Sequence, residues 1–187
     1  MPQPRTVAVV VGSLRKDSVT RKVARAIEAL APTHLKFDEV PTGDLPLYDQ
    51  DVEADPPAAW VAFRERIRAA DAVLFATPEY NRSVPGNLKN AIDVGSRPYG
   101  QSSWNGKPTA VVSVSPGAIG GFGANHHLRQ SLVFLNMPVL QHEAYIGGAF
   151  SLFGESGELT NESTAEFLRT FTQTFADWIE KTIDQAA

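Results

Sequence analysis

The 187-residue chain contains no cysteine, which excludes disulfides, cysteine-ligated zinc, iron–sulfur clusters and thiol catalysis. No apolar run approaches the roughly 20 residues needed to span a bilayer. Arg5 leads directly into a strand-like segment, where a signal peptide would need an apolar core. Positive charge is not in excess: 17 Lys and Arg against 21 Asp and Glu leave a net charge of −4, unlike a general nucleic-acid binder. Neither a Walker loop nor a Gly-x-Gly-x-x-Gly turn is present. The four histidines include the adjacent pair His126-His127. Neighbours on a helix point apart and no carboxylate cluster accompanies them, so a surface or subunit contact is expected there rather than a metal. The expectation is a cytoplasmic protein that engages neither nucleic acid, membrane nor metal.

What the chain does have is a regular alternation. Thr6–Val11, Ala72–Ala76 and Thr109–Val114 are nearly uninterrupted apolar, β-branched runs, the pattern of strands buried on both faces. Leu35–Val40 alternates more weakly and suits a sheet edge, and Pro138–Leu140 reads as a short fifth strand. Between them lie helical patterns: Val23, Ile27 and Leu30 before a stop at Pro32, then Ala58–Ala69 with Trp60, Phe63 and Ile67 on one side. A third helix is opened by Ser83-Val84-Pro85, with Ser83 as its expected cap, and His127–Leu135 and Thr164–Ile183 follow. Pro41–Pro57 is expected to be an irregular loop. Strands alternating with helices, without repeats or an internal linker, predict one α/β domain over residues 1–187. Five parallel strands suit the doubly wound, flavodoxin-like order 2-1-3-4-5, with helices on both faces.

In that order ligands bind beyond the carboxyl ends of the strands, where the winding direction switches. Residues 12–21, 77–85 and 115–123 should therefore meet. The first loop supplies the Ser13, Ser18 and Thr20 hydroxyls, the Arg15 and Arg21 guanidiniums and the free amides of a helix start. Helix-terminal amides favour an anion, and arginine matches phosphate bidentately. Without Gly-Lys-Ser/Thr a single terminal phosphate suits the loop better than a triphosphate. The bland reading of the same residues is that Ser18 caps the helix and both arginines are solvated. The second loop sets Tyr80 and Asn81 just beyond a central strand, where a ring and polar neighbours suit a flat heterocycle. Glu79 reads equally as an acid–base group or as a brace. In the third loop Ser115 and Gly117 lead into Gly120, Gly121 and Gly123, which permit close backbone approach to a ring edge.

Three stretches, GSLRKDSVTRKVA, TPEYNRSVPGNLKNAID and SPGAIGGFGANHHLRQ, together resemble the NADPH-dependent FMN reductase family, and most closely its bacterial quinone, chromate and azo-dye reductase branch. The resemblance spans nearly the whole chain. It implies non-covalent FMN, with Ser13, Arg15, Ser18, Thr20 and Arg21 at the phosphate and ribityl chain. Pro78, Glu79, Tyr80 and Asn81 would flank the isoalloxazine, and Ser115 and Gly117 would lie near its pyrimidine edge. Three departures stand out. Thr20 replaces a common asparagine, Asp17 replaces a frequent glycine and is expected to face outward, and Val94-Gly95 stands where a tryptophan often follows.

The resemblance implies ping-pong transfer of hydride from NADPH or NADH through FMN to quinones, chromate, azo compounds or free flavin. The flavin would carry the chemistry, so no catalytic side chain and no metal ligand is expected. One alternative is a flavodoxin-type carrier without NAD(P)H turnover, and another is a flavin-free, phosphate-dependent enzyme. Family members form homodimers or homotetramers, and Trp104, Phe122, Tyr145 and Phe150 are available for such a contact or for the core.

Overall fold

The computed structural model describes residues 3–186. A parallel sheet forms from β1 (Arg5–Val11), β2 (Leu35–Glu39), β3 (Ala72–Pro78), β4 (Thr109–Val114) and β5 (Ala144–Ile146), in the order β2-β1-β3-β4-β5. This is the expected doubly wound, flavodoxin-like sheet, with β2 at one edge. The central register runs Val7 to Ala72 and Val73 to Thr109, so the apolar runs lie side by side.

Period-two alternation splits those runs between two cores. Val7, Val9, Val11, Leu74 and Val112 face α1 (Val19–Leu30) and α5 (Glu162–Ala186), where they meet Val23, Ile27, Phe171 and Phe175. Ala8, Val10, Val73, Phe75 and Val111 face α2 (Ala58–Ala69), α3 (Gly86–Gly95) and α4 (Phe122–Phe134). Burying one such Leu or Phe side chain stabilises the fold by about 1.5–3 kcal/mol, which explains why the central strands need no alternating polar face. Short 3-10 turns occupy Gln50–Val52 within the irregular loop and Ala149–Ser151 after β5.

Three local expectations are corrected. The fifth strand is not Pro138–Leu140. Val139 makes a single bridge to Thr109, whose backbone bonds Pro138 and Leu140, and ladder pairing resumes only at Ala144. Proline has no N–H to extend the ladder at 138. Ser83 does not cap α3: Pro85 stands at the N-cap, and Ser83 Oγ instead meets His127 Nδ1 at 3.0 Å. Finally, α4 begins at Phe122, five residues before the expected start, after Gly121 turns the chain in the left-handed region.

Trp104 is wholly buried and belongs to the core rather than to an interface. Its indole N–H donates to Ile92 O at 2.9 Å, and its ring packs against Phe63 and Phe75. A Cβ on Gly95 would lie 2.5 Å from that ring, so the glycine at the end of α3 makes room for a tryptophan supplied nine residues later.

Candidate functional site

The three loops meet as the winding rule requires. Beyond the carboxyl ends of β1, β3 and β4 lies an open cavity of about 170 Å³ lined by Ser13, Arg15, Ser18 and Thr20, by Pro78, Glu79 and Tyr80, and by Ser115. Each residue group comes from a different loop, so topology alone brings them together.

The first loop gathers hydroxyls, a guanidinium and a helix start on one side of the cavity. Ser13, Ser18 and Thr20 are buried apart from the cavity wall they form. Ser18 caps α1, its hydroxyl oxygen accepting the Arg21 amide at 3.1 Å, which leaves its O–H free to donate. Among the described residues no side-chain hydrogen bond engages the Ser13 or Thr20 hydroxyl or the Arg15 guanidinium. Those groups, with the free amides of the first turn of α1, suit a phosphate. Asp17 is exposed, clear of this wall.

Arg21 stands apart from the other four. It does not line the cavity. Its Nε donates to Glu39 Oε1 at 2.7 Å, while Nη1 and Nη2 donate to the carbonyls of Arg15 and Ser13 at 3.0 and 2.9 Å. Its donors hold the loop in shape instead of pointing at a ligand.

In the second loop, half-exposed Tyr80 lies on the cavity wall, but Asn81 does not. Asn81 and Arg82 form a tight turn with φ of 51° and 63°, clamped by reciprocal 2.9 Å bonds between Tyr80 and Ser83. Of the two readings of Glu79, the geometry supports the brace. Oε2 accepts the Ala124 amide at 3.1 Å at the start of α4, and Oε1 accepts from Arg82 Nη1 at 3.3 Å. A carboxylate there complements the helix dipole.

The third loop turns at Ser115, whose hydroxyl accepts the Gly117 amide at 3.1 Å, and Gly117 itself lies off the cavity. The later glycines serve packing between protein segments. A Cβ on Gly123 would stand 2.7 Å from Arg82 O, so only glycine lets the second loop close on α4.

Two wall residues come from a segment that the loop rule did not include. Ala149 and Phe150 follow β5, and the Ala149 amide donates to Ser115 O at 3.2 Å. Phe150 is 65% exposed and gives the cavity wall a second aromatic ring beside Tyr80's. Nearby, Phe122 and His126 pack their rings 4.2 Å apart, and His126 Nε2 meets Tyr145 OH at 3.0 Å. The Tyr145 phenol donates to Glu143 at 2.5 Å and is pushed up to about 12, first by burial and then by Glu143, so it stays protonated at neutral pH. The described residues contain no group of His, Asp and Glu able to hold a metal ion, and no helix long and apolar enough to cross a membrane.

A doubly wound sheet with a polar loop at a helix start and a cleft at its switch point is the arrangement of a mononucleotide-binding α/β protein. Residues 5–151 match the model of the NADPH-dependent FMN reductase family. The chain is 69% identical to a quinone reductase of Pseudomonas putida over 182 residues, covering 96% of this chain and 97% of that protein. It is 47% identical to a 2-hydroxy-1,4-benzoquinone reductase of a Burkholderia species, covering 92% of this chain and 95% of that protein. Among solved structures, the flavoenzyme NAD(P)H:acceptor oxidoreductase FerB of Paracoccus denitrificans superposes with a TM-score of 0.90 at 47% identity, covering 95% of this chain and 98% of that one. The chain belongs to the NADPH-dependent FMN reductase family and is an FMN-dependent NAD(P)H oxidoreductase.

Proposed function

We propose that the chain, acting as one FMN-binding domain, is a quinone reductase. The carrying observation is the pairing of a polar phosphate wall with two aromatic rings in a single cleft. The wall fits the cofactor: three hydroxyls, one guanidinium and a helix start converge where a terminal phosphate would sit, and no lysine-based triphosphate loop competes. Ser13, Arg15, Ser18 and Thr20 bind that phosphate, and Arg21 shapes the loop around it. Pro78, Glu79, Tyr80 and Ser115 border the ring, whereas Asn81 and Gly117 support their turns.

When bound, FMN supplies two-electron chemistry: it accepts a hydride from the reduced nicotinamide and returns two electrons to the acceptor. Pro78, Glu79, Tyr80 and Ser115 would hold the ring, in a cleft that Phe150 also lines. A flat, apolar quinone suits that cleft, and the names of the two relatives above favour it over chromate, azo compounds or free flavin. Both Glu79 oxygens are engaged, so of the two hydrogens that complete a hydroquinone one derives from the donor's hydride and the other, a proton, enters from solvent. Phe122 and Tyr145, whose rings pack 5.7 Å apart, and the exposed Phe150 of the cleft are covered by a second copy in a homodimer or homotetramer.

The test is anaerobic. NADPH or NADH reduces the flavin-loaded protein, and benzoquinone, chromate, an azo dye and free FMN are then added separately. Reoxidation is expected to be fastest with benzoquinone; a faster response to any other acceptor overturns the assignment.

A further inference from the structure

Arg82 adopts a backbone conformation that arginine seldom takes. With Asn81 and Asn136 it is one of three non-glycine residues at positive φ among the described residues. Glycine is the usual occupant of the second position in a turn of this kind. The backbone therefore does not ask for arginine, and residues kept in such conformations concentrate at functional sites.

The side chain is correspondingly free. Arg82 is 74% exposed, and its ion-pair partner is Glu79 at 3.3 Å, a residue of the cavity wall whose other oxygen is held by α4. The Tyr80–Ser83 clamp and the close approach of Gly123 to Arg82 O fix the turn from both sides. An exposed guanidinium is thus presented from a rigid base, paired with Glu79 of the cavity wall. The other arginines near the site are committed elsewhere, since Arg15 lies on the phosphate wall and Arg21 is spent on Glu39 and two carbonyls.

We propose that Arg82 is the residue that distinguishes NADPH from NADH, by engaging the 2′-phosphate on the donor's adenosine ribose. This rests on the reductase reading. NADPH carries a phosphate monoester that NADH lacks and that takes no part in hydride transfer. Reading it calls for a cation outside the reacting centre with donors to spare, and a guanidinium meets a phosphate bidentately. One exposed contact of this kind supplies about tenfold selectivity.

The decisive variant is Arg82→Gly, which relieves the turn and so keeps the fold. Two measurements on the flavin-loaded protein separate the possibilities. By calorimetry, the parent should bind adenosine 2′,5′-bisphosphate more tightly than 5′-AMP, and Arg82→Gly should erase about tenfold of that difference. In steady-state assays the NADPH-to-NADH ratio of kcat/KM should fall about tenfold in Arg82→Gly and partly recover in Arg82→Lys. An unchanged ratio, an equal loss with both donors, or a parent that does not prefer the bisphosphate each overturns the proposal. If neither donor reduces the flavin, the reductase reading fails, while the calorimetric comparison still decides the role of Arg82.

Discussion

Glu79 Oε2 accepts the amide of Ala124 at 3.1 Å, tying the end of β3 to the first turn of α4 across 45 residues of sequence. The glycine-rich approach to α4 has no side-chain cap of its own, because Gly121 stands at its N-cap. Glu79→Ala is expected to lower stability by about 1–2 kcal/mol, from the lost cap and the uncompensated amide. Glu79→Gln, which keeps an acceptor but not the charge, should fall between the two. Urea unfolding midpoints of the apoproteins check this; equal midpoints for Glu79→Ala and parent would refute the bracing role.

The two arginines of the first loop should separate in their effects. Arg15 has no side-chain partner within the described residues, so Arg15→Ala should weaken FMN binding about tenfold and leave the apoprotein's Tm unchanged. Arg21→Ala removes three hydrogen bonds inside the loop and should lower both FMN affinity and apoprotein stability, the latter by about 1–3 kcal/mol. Fluorescence titration with FMN and thermal melts read the two quantities. Identical behaviour of the two variants would contradict the division of roles.

At the opposite end of the sheet, Arg5 grips Glu180 bidentately, with both contacts at 2.8 Å. The hydrogen bonds from Arg5 hold the Glu180 carboxyl below its ordinary value of 4.5. A lowered native pKa means that the unfolded chain binds the proton more readily. The pair's contribution is therefore full above pH 4.5 and disappears as pH falls through the native value. Solvent screening limits the pair to about 1 kcal/mol or less. Glu180→Gln should show a flatter loss of stability below pH 4.5 than the parent, measured by urea unfolding at stepped pH.

Gly95→Ala should destabilise the fold by about 1–3 kcal/mol, because its Cβ would sit 2.5 Å from the Trp104 ring. Pairing it with Trp104→Leu should recover part of that loss relative to additivity. A double-mutant cycle with no coupling would mean that the tryptophan does not rest on the glycine.

Much of this molecule is legible in its sequence because a strand buried on both faces is a continuous apolar run, and such a run can hardly be mistaken. From the three central strands and the helices between them, the order 2-1-3-4-5 and the meeting of three loops both follow. The start of α4 does not follow, since its cap comes from Glu79, far away along the chain. The short β5 is hidden behind Pro138, and with it the contribution of Ala149 and Phe150 to the cleft. Arg21 looks like a ligand group in sequence because two of its acceptors, the carbonyls of Ser13 and Arg15, belong to the backbone and leave no trace in residue identity, and the third, Glu39, lies 18 residues away. The fate of Trp104 depends on a space that a glycine leaves on another helix, which no periodicity reports.

The internal bracing of the first loop has a kinetic meaning. A segment that had to be gathered around its anion would bind slowly and lose chain entropy on capture. Here Arg21 draws the carbonyls of Ser13 and Arg15 together within the folded chain, so the loop is ordered during folding. If Arg15 meets the phosphate as proposed, uptake of the flavin by the apoprotein becomes an encounter with a finished receptor, set by diffusion and by the attraction of Arg15 for a dianion. Differences in retention among variants of the Ser13, Ser18 and Thr20 hydroxyls, which leave both arginines in place, should consequently reside in how fast the cofactor leaves, with its arrival rate nearly constant.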